Sequence, residues 1–568
     1  FFLSSIMKKL NIVYKIIGQI LFVIIFLSTS SAKSLDKFDK AKSMSDYFSG
    51  ILLLNENQYD ESFKYFKRLN GLEISHPNYS VKFLYSLVNS GKLKEAFNYS
   101  RKLEKQNLDI FESDLISGIF YLKDSKKDLA KKYFLKAKNR SKTSILNNYV
   151  SNSLYNWSNL SNLNQGELEI KKLDKRFENL KKLQNVFLNC YFNSPNVNKL
   201  FTEITSNSKT DFSRYNYFYA SHQVAIGKIK NAKQIVTSAL KLYPRNLLLN
   251  QYKIDLNKGK NLTIFNCKKE QHVIAEILYI TSNALSSQSI YPLSNFYLNL
   301  AIYLNENFHS YDTLLAENFY KINNFKKAKK IYNDLSKNGE AFNWYSSKQL
   351  ARILIQDKKR NEAIELLKNS YDNMLNKEIY ETFDYAEFLK NNEKFKESIP
   401  LYTKIINLVE KENPLYAEAT DGRGVAYERI GEWNKAEKDL LDSLKADPNQ
   451  AYVINYLAYS WIEKGVKVKK SLSMLEKANK LRSNDPYIID SLGWALFKLE
   501  RYKESKNYLQ LAVRLMPADP VVNDHFGDAL WKNGNKIQAR YYWNYVLGLK
   551  KTENELKEII EKKLIKGL

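Results

Sequence analysis

The chain has 568 residues, 44% of them hydrophobic and 14% aromatic, with 18 glycines and 10 prolines. So many apolar side chains exclude a disordered chain, and so few glycines and prolines argue against a turn-rich β architecture. Lys and Arg number 88 against 61 Asp and Glu, a net charge of +27. That balance would draw acidic partners, but no dense arginine stripe accompanies it. Asn, Ile, Tyr and Phe are abundant alongside Lys, as in an AT-rich coding sequence whose lysines cover solvated helix faces, so nucleic acid is not the expected partner.

The first element is an export signal. Met7, Lys8, Lys9 and Lys15 precede an apolar run from Ile16 to Leu27, broken by Gly18 and Gln19, and Ser30-Ser31-Ala32 then offers a small-x-small cleavage site. The expected start is therefore Met7, with 1–6 an upstream reading, and the expected cleavage is near Ala32. The 12-residue run falls short of the roughly 20 needed to span a bilayer, and no cysteine stands near the cleavage point for a lipid anchor. A soluble, periplasmic mature chain follows as an expectation. The alternative is an uncleaved inner-membrane anchor, with membrane contact confined to this segment.

After a polar lead-in at 33–45, a small residue recurs with a fixed beat at Ser62, Ala96, Ala130, Ala232, Ala328, Ala363, Ser398, Ala436, Ser471, Ser505 and Ala539. Successive gaps are 34, 34, 102, 96, 35, 35, 38, 35, 34 and 34, and 102 is three times 34. Twelve residues earlier stands a second small residue: Gly50, Gly118, Ala220, Ala316, Ala351, Ala386, Gly424, Gly493 or Gly527, with Ala458 thirteen before Ser471 and Leu84 breaking the rule. Four residues after the beat comes a large one, from Phe66 and Phe134 to Leu509 and Trp543, with Ser100 the exception. Pro244, Pro448 and Pro517 follow their beats by twelve and should end the second helix. The pattern predicts two short amphipathic helices crossing where small residues at positions 8 and 20 admit close approach and the residue at 24 fills the gap. One hairpin cannot bury its apolar face alone, so the units stack.

The segment Asp490-Ser491-Leu492-Gly493-Trp494-Ala495-Leu496-Phe497 through Pro517 resembles a tetratricopeptide repeat. The resemblance covers roughly 46–140, 213–246 and 312–549, and implies an all-α, right-handed solenoid of stacked antiparallel helix pairs. The expected layout is a signal at 1–32, an N-terminal block at 33–140, degenerate helical repeats at 141–311 with one clear unit at 213–246, a C-terminal array at 312–549 and a capping helix at 550–568. Ser294, 34 before Ala328, marks one more degenerate unit, and the runs Val273–Ile280 and Phe296–Leu304 read as buried helices. The tail places Leu556, Ile559, Ile560 and Leu564 on one face, suiting a cap on the stack or, alternatively, a helix lying on a membrane surface.

Little here suggests catalysis. His76, His222, His272, His309 and His525 stand apart from one another, Gly422-Arg423-Gly424 lacks the context of a phosphate loop, and Asp439 with Asp442 reads as solvation of a helix face. No cofactor or metal site is expected. Cys190 and Cys267, 77 residues apart, leave a disulfide open. The resemblance implies a ligand surface on the inner faces of the first helices. Carried onto the clearest repeats, it gives Asp421, Asn455, Asp490 and Asp524 at position 5; Val425, Tyr459, Trp494 and Asp528 at position 9; and Glu428, Ile462, Phe497 and Trp531 at position 12. This aromatic wall with an acid ladder suits extended or helical partner segments with basic and apolar side chains, unless the aromatics are inter-repeat packing and the acids cap neighbouring helices. The expectation is a non-enzymatic exported scaffold of the cell envelope. The alternatives are a substrate-presenting accessory of an envelope enzyme, or a binder of anionic envelope polymers through the lysine surface. Ala130, Ala232, Gly424, Ala436, Gly493, Ser505, Gly527 and Ala539 are expected to act structurally.

Overall fold

A computed structural model describes residues 40–206, 213–260 and 263–568, and among them the chain forms thirty α-helices, two short 3-10 turns and no strand. The export signal expected at Met7 to Ala32 lies outside the described residues. No described helix is long and apolar enough to cross a membrane. The chain divides into two units, one ending at Gly339 and one running from Glu340 to Leu568. The first hairpin of the array expected at 312–549, Ser310–Lys321 with Phe325–Leu335, belongs to the first unit.

All eleven beat residues have no solvent exposure. Around them the crossing is built as the sequence pattern requires. A Cβ placed on Gly493 would lie 2.7 Å from Leu509 Cγ, one on Gly527 2.6 Å from Trp543 Cδ1, and one on Gly50 2.6 Å from Phe66 Cε1. Each clash partner is the position-24 side chain of the same repeat, itself buried. Backbone proximity follows side-chain size in most repeats, the Gly50 hairpin with its second helix of 9 residues excepted. The hairpins with Gly118, Gly424, Gly493 and Gly527 approach most closely among the regular repeats. Those with Ala220, Ala316, Ala351, Ala386 and Ala458 approach less, and the Leu84 hairpin, Pro77–Asn89 with Leu93–Lys105, least. Leu84 and Ser100, the two exceptions to the pattern, fall in that one repeat: a large residue at position 8 faces a small one at 24, and both are buried.

A position-20 serine marks the same hairpin in a regular and in a degenerate repeat. Ser62 donates from Oγ to the Gly50 carbonyl at 2.8 Å, from position 20 to position 8. Ser294 makes the same 2.8 Å bond to Ser282, which identifies Glu270–Ser287 with Tyr291–Leu304 as a repeat. Five residues before most beats the turn needs a left-handed backbone. Gly91, Gly227, Gly431 and Gly534 supply it with φ between 75° and 84°, but Asn57, Ser125, Ser289, Asn323, Lys358, Glu393 and Glu500 adopt it too.

In the first unit the regular succession of hairpins is interrupted. Helix Leu247–Asn257 has no second partner, and the chain then turns back through a described loop at 263–269. Phe265 anchors this loop among Phe187, Phe218 and Phe308, its ring centroid 4.4 Å from that of Phe218. Cys267 is joined to Cys190 by a disulfide, with Cα atoms 6.0 Å apart. The returning helices Glu270–Ser287 and Tyr291–Leu304 pack on the first helices of earlier repeats, Pro77–Asn89, Phe111–Lys123, Ile145–Ser158 and Glu178–Tyr191. Phe296 stacks on Tyr85 at 4.6 Å, Gln271 Nε2 donates to the Leu122 carbonyl at 2.7 Å, and Asn89 Nδ2 donates to the Pro292 carbonyl. Arg214 grips the fully buried Glu276 with two bonds of 2.8 and 3.0 Å. The inner face of this unit is therefore filled by its own chain.

The second unit is a stack of six hairpins closed by helix Asn554–Lys566. First helices of successive repeats approach one another, Ala451–Glu463 with Pro486–Lys498 and Pro486–Lys498 with Pro520–Lys532. Second helices of successive repeats do so less, which puts the first helices on the tighter, inner curve. Asp485 and Asp519 cap their helices, each accepting two backbone N–H bonds ahead of a proline at the first helical position.

Candidate functional site

Of the twelve residues singled out from sequence on the inner face of the second unit, the ten polar and aromatic ones, all but Val425 and Ile462, divide into two groups. Toward the C-terminus they are joined in one buried cluster. His525 Nδ1 donates to Asp490 at 3.0 and 3.1 Å, and its ring lies parallel to Trp494 at 4.0 Å between centroids. Trp494 stacks in turn on Phe497 at 4.8 Å and donates from Nε1 to Glu463 at 2.6 Å. Lys563, from the tail helix, donates to Asp524 at 2.7 Å and to both oxygens of Asp528 at 2.8 Å. Trp543 Nε1 donates to Asp528 as well, at 3.0 Å. Trp531 lies against Trp543 and meets Gly567 just past the tail helix, where a Cβ would overlap its ring.

Charge explains why these groups sit together. Three carboxylates with little exposure need countercharge, and His525 and Lys563 provide it. Burial raises the Asp528 carboxyl to about 6, with repulsion from Asp524 adding to the effect and Lys563 opposing it. Burial alone would lower the His525 imidazole, but Asp490, Asp524 and Asp528 outweigh it and hold it above its ordinary value.

The N-terminal part of the ladder is less engaged. Asp421 makes no ion pair within 4 Å among the described residues, and burial lifts its carboxyl to about 6 even though Lys390 opposes the shift. Glu428 accepts a 2.8 Å bond from Tyr456, and Asn455 keeps a buried Oδ1 that no donor reaches. Tyr459 lies among Glu463, Asp490 and Asp524, its hydroxyl pushed up by burial and by those carboxylates. The structure thus joins Asp490, Trp494, Phe497, Asp524, Asp528 and Trp531 into an internally bonded group and leaves Asp421, Glu428, Asn455 and Tyr459 half-buried along the face.

Sequence reasoning missed Glu463, His525 and Lys563. The 35-residue spacing from Asp490 to His525, one repeat plus one, was a usable signal; so was the place of Lys563 on the apolar stripe of the tail, three residues after Ile560 and seven after Leu556. Asp439 also differs from expectation. It is buried and forms a two-pronged pair with Arg423 at 2.7 and 2.9 Å, whereas Asp442 bonds Lys445 at the surface. Gly422 and Gly424 are packing positions against Tyr402 and Leu440. Of the described residues, Cys190, Cys267 and His222 lie close enough to share a metal ion, His222 Nδ1 being 3.4 Å from Cys190 Sγ. With the two sulfurs bonded to each other they offer no thiolate.

A family model described as tetratricopeptide repeat matches residues 297–552. A curated protein of Pseudomonas aeruginosa described as TPR repeat-containing is 28% identical over 120 residues, which are 20% of this chain and 18% of that protein. The match therefore spans under a fifth of that relative's length. Among solved structures, MamA from Desulfovibrio magneticus aligns at 18% identity over 32% of this chain and 99% of its own, with a TM-score of 0.28. A thermophilic TPR protein of Thermus thermophilus aligns at 15% identity over 33% of this chain and 100% of its own, TM-score 0.28. YrrB, described as a TPR protein with an unusual peptide-binding site, aligns at 16% over 33% of this chain and 92% of its own, TM-score 0.27. On its repeat register, its hairpin geometry and the family match over 297–552, the chain carries tetratricopeptide repeats, units found in proteins that are typically non-catalytic and generally mediate protein–protein interactions.

Proposed function

We propose that this protein is a non-enzymatic, exported scaffold that binds protein segments of the cell envelope along the inner face of its second unit, and that it prefers segments with basic and apolar side chains. One observation carries the reading. In the first unit the chain's own helices fill the equivalent face, whereas in the second unit Asp421, Glu428, Asn455 and Tyr459 line a face that no other helix of that unit upstream of the tail covers. A half-buried carboxylate without an ion pair, such as Asp421, gains most from an arriving cation. Lys563 on Asp524 and Asp528 supports the same preference from within the chain. The export pattern at Met7 to Ala32 supports the compartment.

The test is a photo-crosslinking amino acid at Tyr459, used in living cells. Envelope proteins should be captured, and capture should fall at least tenfold when Asp421→Lys and Glu428→Lys reverse the ladder. Adducts indifferent to that reversal, or drawn from cytosolic proteins alone, would sink the proposal.

A further inference from the structure

We infer that the acidic end of this face is a receptor for a lysine carried on an amphipathic helix, that the tail helix Asn554–Lys566 occupies it in cis, and that a partner helix of the same chemistry enters by taking the tail's place. The inference rests on the reading above, that the second unit's inner face binds protein segments, and adds what the partner must present and what it must displace.

The pocket is already filled by such a group. Lys563 has only 12% of its side chain exposed and meets Asp524 and Asp528, whose side chains are 10% and 4% exposed. Carboxylates so withdrawn from water demand a cation. His525, which serves Asp490, cannot serve all three. The tail helix is otherwise lightly held. Ile560 is its one fully buried residue, Leu556 and Leu564 are half-buried, and Ile559 and Ile565 face solvent. Beyond these contacts, Arg540 Nε donates to the Leu564 carbonyl at 3.3 Å. Recognition thus centres on one cation and one fully buried aliphatic anchor, with Leu556, Leu564 and Gly567 packing beside them. The occupied pocket is also continuous with the uncovered ladder. Tyr459 lies beside both Asp490 and Asp524, and the ladder runs on to Asn455 and Asp421. A partner helix longer than the tail would keep the lysine contact and add groups the tail does not reach. A longer basic helix would therefore make more contacts than the chain's own, and that difference would drive exchange.

The experiment uses a fluorescent peptide of residues 553–568 and the full chain, read by anisotropy. With the native chain the peptide should bind weakly, because the tail competes at high effective concentration. In the full-chain variant Ile560→Asp with Lys563→Glu, which releases the tail, binding should tighten at least tenfold. Adding Asp524→Asn and Asp528→Asn should return it to the native level, and a peptide carrying Lys563→Glu should not bind. Circular dichroism melting of each variant confirms that the stack remains folded; if the double variant unfolds, Lys563→Ala alone serves in its place. A folded, tail-released variant that binds the peptide no better than the native chain would overturn the inference. So would a native chain that dimerises through exchanged tails, since the occupant would then be a second copy. Crosslinking at Tyr459 fails or succeeds independently of this result, so loss of the functional reading and loss of the lysine pocket are separable.

Discussion

At Gly493 a missing methyl group lets two helices cross with Leu509 filling the space beside it. Gly493→Val should therefore destabilise the second unit by about 1–3 kcal/mol through overpacking, with helix propensity returning less than 1 kcal/mol. A second change, Leu509→Ser, should recover part of the loss, as the natural pair Leu84 and Ser100 indicates; urea unfolding of the single and double variants measures the coupling. The crossing was legible in the sequence because it depends on side-chain volume at fixed spacing. The turn before it was not. Glycine marks the left-handed position in some repeats, but Lys358, Glu393 and Glu500 disguise it in others. Glu393→Gly and Glu500→Gly should each stabilise by about 0.5–1 kcal/mol, relief of a left-handed side-chain penalty of roughly 1–2 kcal/mol exceeding the added freedom of the unfolded chain. A rise in thermal midpoint checks this.

Single helices and loops were harder to place from sequence, because their partners are distant in the chain. The run Val273–Ile280 was recognisable as a buried helix, but not as one that returns to pack on Ile145–Ser158, since periodicity fixes a face and not its neighbour. The disulfide that anchors this return closes a loop of 77 residues, worth at most about 4–5 kcal/mol by the loop-entropy account. Cys190→Ser with Cys267→Ser should lower protection against hydrogen exchange by 2–4 kcal/mol in the first unit and leave the second unit unchanged. The tail helix gives a pH test. A raised His525 contributes stability below its ordinary value near 6.5 that is lost as pH rises through the folded value. Asp528, lifted to about 6, has the same sign, since the folded state holds its proton more tightly than the unfolded chain does. Amide protection over 520–566 should fall between pH 5 and pH 8, and His525→Gln with Asp528→Asn should flatten the profile.

On the scale of the whole chain, the repeat beat announced the architecture, yet only the structure distinguishes a unit whose inner face is filled from one whose face stays open along most of its length. That difference arises where helix Leu247–Asn257 loses its partner and the chain reverses, an event that composition and spacing do not encode. A closed circuit has a fixed tally of members, as an arch has a fixed number of stones. Duplicating the hairpin 486–515 within the second unit should yield a longer, folded protein, because an open stack sets no limit on its length. Duplicating 111–140 in the first should push Tyr85 out of register with Phe296 and the Leu122 carbonyl away from Gln271. Heating the two duplicated proteins should show the first melting like its parent and the second collapsing early. Growth by repeat gain is thus available to one half of this molecule and barred to the other.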